Sequence, residues 1–133
     1  MTSDDPTIDG PDAAAPVSPL VGATFRVTAI EGVPTLVEPT AELTFGDDGH
    51  LSGRATVNRI MGPYTLDGDA LAFGPLAGTM MAGPPDAMEQ ERRLHSALAR
   101  CTRVDAGGPD GAVVLRGDDG AAVVSLEYAD LVL

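Results

Sequence analysis

Lysine and tryptophan are both absent from this 133-residue chain, whose basic side chains are eight arginines. Without lysine there is no P-loop phosphate clamp, no Schiff-base nucleophile and no Ser-Lys dyad, whatever the fold. The arginines are outnumbered by 20 Asp and Glu, giving a net charge of −12 and an isoelectric point near 4.2. Nucleic acids and anionic membrane surfaces are bound through basic patches that neutralise phosphates, so this balance argues against both as partners. Aromatic residues are scarce too, limited to Phe25, Phe45, Phe73, Tyr64 and Tyr128, so a core must be mostly aliphatic. The single cysteine, Cys101, excludes an intrachain disulfide and is compatible with a reducing compartment. No apolar run approaches the roughly 18 residues of a membrane span. The opening MTSDDPTIDGPDAAAPVSP is acidic where a secretory signal is basic and then hydrophobic. A soluble, cytoplasmic protein is expected.

What is present has room for one domain. Residues 1–19 hold four prolines, four aspartates and a single large aliphatic before Val17, Ile8, too little apolar surface to offset chain entropy, and are expected to form a disordered acidic tail. From Leu20 onward, residues 20–133 change to short segments of period two. Phe25, Val27 and Ala29 alternate with Thr24, Arg26 and Thr28, the pattern of a half-buried strand. Glu42 to Phe45 repeats it, followed by Gly46-Asp47-Asp48-Gly49 and a return strand from Leu51 to Ala55. Asp67-Gly68-Asp69 separates Tyr64–Leu66 from Ala70–Phe73, and a second Gly-Asp-Asp-Gly at 117–120 separates Ala112–Arg116 from Ala122–Tyr128. Asp-Gly steps between alternating segments predict antiparallel hairpins, not crossover units.

One stretch breaks the pattern. From Asp86 to about Arg103, Met88, Leu94, Leu98 and Cys101 fall on a helical stripe with Ala97 beside it, and no Gly or Pro interrupts. Asp86 is placed to cap this helix with Glu89 three residues on, while Arg100 and Arg103 lie near its negative end. The expected fold is therefore α+β: a curved, mostly antiparallel sheet or partly closed barrel of six to eight short strands, with one helix (about 86–103) inserted before the last hairpin.

Chemistry is harder to find. His50 and His95 form no zinc spacing, and the Asp-Gly turns lack the later ligands of a calcium loop, so no metal or other cofactor is expected. Ser52, Ser96 and Ser125 lie outside any nucleophile elbow, and Cys101 reads as a buried small hydrophobe. Glu89 and Glu91 point to different helix faces and do not form an acid–base pair; Glu89 suits an ion pair with Arg93. Glu91 falls close to the apolar stripe, where a carboxylate wants a basic partner, with Arg54 and Arg59 as candidates. Asn58, the one asparagine, follows a strand and precedes a Gly-Pro turn, a setting for a structural amide. Met80 and Met81 read either as core filler or as the lip of an apolar groove.

The segments around Asn58 and Met80, in this order and with this helix, resemble the META domain family, also called HslJ-like. The likeness runs from Leu20-Val21-Gly22-Ala23-Thr24-Phe25 through Leu43-Thr44-Phe45 and Gly49-His50-Leu51-Ser52-Gly53. It continues over Asn58, Gly62 and Tyr64, Leu71-Ala72-Phe73, Thr79-Met80-Met81-Ala82, and Met88-Glu89-Gln90-Glu91 to Leu98. Phe25, Phe45, Gly53, Asn58, Gly62, Tyr64, Glu89 and Glu91 are its structural motif positions. Where the family commonly carries cysteines, this chain has Val57 and Gly83. The resemblance implies a small curved-sheet domain linked to stress response, envelope integrity or secretion, without established enzymatic activity, although this chain shows no signal peptide or lipobox.

Together these features predict a non-enzymatic module that binds a protein or a small apolar ligand at a concavity bordered by Asn58, Arg59, Tyr64, Met80 and Met81. A structural or self-associating module is the alternative, and the oligomeric state is left open. The acidity belongs to the ends and turns: four acids fall in the tail and eight in turns or loops, and the remaining eight equal the arginines.

Overall fold

The computed structural model describes residues 20–36, 40–106 and 112–129; the expected acidic tail lies outside them. Ten strands and one helix occur among these residues. In chain order they are β1 (Thr24–Ile30), β2 (Val33–Pro34), β3 (Glu42–Phe45), β4 (His50–Arg54), β5 (Arg59–Asp67), β6 (Ala70–Phe73), β7 (Ala77–Gly78), α1 (Pro85–Arg100), β8 (Arg103–Ala106), β9 (Val113–Arg116) and β10 (Ala122–Tyr128).

Eight of the strands close into an antiparallel barrel in the order β1-β3-β4-β5-β6-β8-β9-β10, with β10 returning to β1. The short β2 and β7 are additions, paired with β1 and β5 respectively. Closure gives each of the eight strands a partner on both sides, the shortest join being β6 to β8, which pair only at Ala70 and Arg103. Register shifts between Val27 and Ala29, and between Ala122 and Val124, mark irregularities where strands bend to close the ring. Gly49 and Gly120, with φ of 83° and 81°, make the expected turns between β3 and β4 and between β9 and β10.

Alternation along each strand fills the barrel. Phe25, Val27, Leu43, Phe45, Leu51, Ile60, Tyr64, Leu71, Leu115 and Leu126 all point into one cluster. All five aromatic rings of the chain touch in sequence within or beside it. Phe45 makes edge-on contacts with Phe25 and Tyr64 at centroid distances of 5.9 and 5.2 Å, and Tyr128 and Phe73 extend the line. Such pairs add roughly 0.5–1.5 kcal/mol beyond area burial, which partly offsets the scarcity of aromatics.

The helix packs against β10, β1 and β6, and its Leu94, Ala97 and Leu98 join the same core. Its ends differ from the expectation. Pro84 occupies the N-cap and Pro85 the first turn, because proline lacks the N–H that would go unsatisfied there and already has helical φ. Asp86 therefore lies inside the first turn, where its carboxylate accepts from the Ala87 N–H, and it is not the cap. The helix ends at Arg100, three residues early: Cys101 is already extended, the Thr102 N–H bonds Arg116 O, and Arg103 begins β8. Backbone pairing across the sheet displaced a helix whose sequence carries no stop signal there.

Candidate functional site

The irregular stretch between β4 and β5, the segment after β7, and the first half of α1 meet in a buried polar cluster. Asn58 sits at its centre, 3% exposed. Its Nδ2 donates to Met81 O at 2.9 Å and to Glu91 Oε2 at 2.7 Å. Its Oδ1 accepts from the Thr79 hydroxyl at 2.8 Å and from the Met81 N–H at 2.6 Å. Two donors and two acceptor positions are thus all used, and the amide binds residue 81 as a neighbouring strand's backbone would.

Glu91 completes the cluster from the helix. Its Oε1 accepts from the backbone N–H groups of Val57 and Asn58 at 2.9 and 2.8 Å. The expected arginine partner is not used: Arg54 and Arg59 are both exposed on the outside of the barrel, and N–H groups take the place of a cation. Burial pushes the Glu91 carboxyl upward, but the Asn58 backbone and side-chain donors, the Val57 N–H and the nearby His95 outweigh it, and the net shift is downward. Beside it, Gln90 donates to the Thr56 hydroxyl at 3.0 Å and accepts from the Leu36 N–H at 2.8 Å. Thr56, fully buried with φ of 135°, occupies backbone space that β-branched residues rarely enter. Gln90 and Thr79 fall in segments that carry the family resemblance, but their contacts and those of Thr56 were not legible, since the partners are 20 or more positions away along the chain.

The five residues expected around one concavity are divided between the interior and the surface. Asn58 is buried as described, and Tyr64 is a core residue whose hydroxyl donates to Gly46 O. Burial, followed by Asp48 and Asp47, pushes the Tyr64 pKa upward. Arg59, Met80 and Met81 lie on the surface, Met80 95% and Met81 57% exposed. Met61, which sequence reasoning passed over, is 54% exposed. Its parity with Arg59 on β5 was the available signal. The Thr79 N–H bonds Arg59 O, and Met61 pairs with Ala77, so the methionines lie along one stretch of β5, β7 and the strap that Asn58 holds.

The other candidates sit apart. Cys101 is buried, and burial, opposed by a contact to Arg103 O, pushes its thiol up to about 11. His50 is exposed next to Asp48. Glu89 pairs with Arg92, not with Arg93, which reaches Ile30 O and Glu31 instead. No group of three or more His, Cys, Asp or Glu among the described residues is arranged to hold a metal ion, and no helix there is long and apolar enough to cross a membrane. The two positions where the family resemblance implies cysteines are neighbours: a Cβ built on Gly83 would lie 2.7 Å from Val57 Cγ2 and 3.5 Å from Val57 Cβ.

A family model described as "META domain" matches residues 18–130. Among solved structures, an NMR structure of a protein from Burkholderia xenovorans is similar with a TM-score of 0.66 and 24% identity, covering 92% of this chain and 99% of that one. A crystal structure of a DUF4847 family protein from Bacteroides vulgatus is similar with a TM-score of 0.56 and 14% identity, over 84% of this chain and 97% of that one. At these identities the likeness is one of fold. No curated protein matches the chain.

Proposed function

The chain belongs to the META domain family, and from that premise we propose that it is a non-enzymatic module that binds another protein through the exposed methionine face of β5, β7 and residues 79–82. The observation that supports this is the exposure of Met61, Met80 and Met81, three of the four large hydrophobics that stand out into solvent among the described residues. Methionine is flexible and polarisable, and it recurs on surfaces that adapt to a partner. The backbone beneath is fixed, because Asn58 bonds both the N–H and the C=O of Met81. A small apolar ligand is less well served, since the barrel interior is filled by fully buried Phe25, Phe45, Leu43, Leu51, Ile60 and Leu115.

A photo-crosslinking amino acid placed at Met80 in the full chain tests the proposal in cells. A defined adduct is expected, and Met80→Asp/Met81→Asp should abolish the interaction while leaving the melting temperature unchanged. Absence of any adduct overturns the proposal. Sedimentation over a concentration series separates a self-associating face from one that takes a different protein. That such an interaction serves stress response or envelope integrity is part of the proposal, supported by the family resemblance alone. Growth of a deletion strain under heat and envelope stress is its test.

A further inference from the structure

The register of the barrel sets Glu127, Arg26, Glu42, Arg54 and Arg59 in one row across β10, β1, β3, β4 and β5. Charge alternates along this row until the last step, where Arg54 stands directly opposite Arg59. Like charges facing each other on a ladder are unfavourable. Yet among the described residues neither guanidinium has an ion pair or a hydrogen bond, whereas Arg26, Arg92, Arg93, Arg100 and Arg116 all do.

A second facing pair shows what compensation looks like. Arg103 opposes Arg116 on β8 and β9, but Asp69 and Asp105 line the same hollow, and Arg116 reaches Asp105 Oδ2 at 3.4 Å and Gly120 O at 2.9 Å. In a chain with 20 acids to eight bases, the β4–β5 pair faces an open groove with both cations unengaged among the described residues. That groove, of about 370 Å³, is lined by Thr40, Glu42, Ser52, Gly53, Arg54 and Arg59. Gly53 shapes it: at φ of 155°, a Cβ there would come 2.1 Å from Glu42 O, so β3 and β4 approach this closely only around a glycine. Ser52, two residues before Arg54, faces the same side and adds a hydroxyl donor.

We propose that this groove binds a phosphate-class oxyanion, either inorganic phosphate or the head of a phosphomonoester, between the Arg54 and Arg59 guanidinium groups. Two planar forks bring two positive charges to the groove, which a tetrahedral phosphate answers with more negative charge than a carboxylate carries and with an oxygen edge for each fork. Glu42 flanks Arg54 from the β3 side and competes for it, which makes Arg59 the less contested ligand. The overall charge of −12 does not forbid such a site. Asp47 and Asp48, in the turn between β3 and β4, lie at the far end of β4, on the order of 20 Å from Arg54 along the strand, beyond a Debye length of about 8 Å in physiological salt.

The test is an NMR titration of the full chain, following the arginine Nε–Hε signals at constant ionic strength with inorganic phosphate, phenyl phosphate and acetate. Saturable shifts are expected at Arg54 and Arg59 with a phosphate probe, none at Arg103, and acetate at least about tenfold weaker. Arg54→Ala and Arg59→Ala should each weaken binding by about tenfold or more, the effect of one lost charge-assisted bond, and Glu42→Gln should tighten it severalfold. Binding of phenyl phosphate marks an esterified source, and binding of inorganic phosphate alone marks the free ion. Non-saturating shifts, equal shifts at Arg103, equal binding of acetate, or undiminished binding in the folded Arg54→Ala/Arg59→Ala double variant would overturn the site. Met80→Ser/Met81→Ser, which removes the methionine face without adding charge beside Arg59, should leave the titration unchanged, so this proposal and the methionine face fail independently.

Discussion

Glu91 shows how a single carboxylate can be held inside a fold chiefly by N–H donors, without an arginine partner. Three N–H donors from Val57 and Asn58 take its lone pairs, so its ionised form is favoured more in the folded than in the unfolded chain. The sign for stability follows from the lowered pKa. The contribution is present above the ordinary glutamate range and is lost as pH falls through the folded value below it. Glu91→Gln removes the charge and turns an NH2 toward at least one donor, so it should cost about 1–3 kcal/mol near neutral pH. The gap between variant and wild type in urea midpoint should narrow as the pH is taken below the ordinary glutamate range. A gap that stays constant with pH would show that the charge is not what matters. The sequence made Glu91 conspicuous by placing a carboxylate beside an apolar stripe, but it pointed toward arginine. Backbone N–H groups from a turn 33 or 34 residues away leave no mark in composition.

At the level of elements, what was legible follows from locality. Asp-Gly turns set the hairpins, and the period of Leu94 and Leu98 set the helix, because both depend on neighbours within a few residues. The two-residue strands β2 and β7 and the start of β8 were not legible, since each exists only through pairing with a distant strand. The β4–β5 turn and the strap before α1 belong to this second class, and their proximity has a testable consequence. With 3.5 Å between Val57 Cβ and a Cβ built on Gly83, the spacing lies within the range of a disulfide's Cβ atoms, roughly 3.5–4.5 Å. Val57 now fills the space that Gly83 leaves. The double variant Val57→Cys/Gly83→Cys should oxidise to one bridge closing a loop of about 26 residues, worth about 3 kcal/mol in chain entropy before any strain. Non-reducing mass spectrometry and the melting temperature with and without reductant measure it. Cys101, buried and with its thiol pushed up to about 11, should stay unpaired throughout.

Taken whole, the molecule is a ring whose first and last strands are joined; the sequence left a curved sheet and a partly closed barrel as alternatives and did not show which strands would meet. The pairing of Phe25 with Tyr128 and of Val27 with Leu126 spans nearly the whole described chain, and no local pattern specifies a partner so far away. Its consequence is cooperativity: opening the β1–β10 seam exposes both edges of the barrel and the core behind them, so the seam and the far wall should unfold together. The two tyrosines report on this directly. Tyr128 lies at the seam against Phe25, while Tyr64 lies on β5 against Phe45, and no tryptophan obscures them. Their ring signals in urea should share one midpoint. Leu126→Ala, which hollows the core at the seam, should cost about 2–5 kcal/mol and move both midpoints equally. If Tyr128 is released at lower urea than Tyr64, the seam opens alone, and the barrel is better described as a curved sheet held shut by a separable contact.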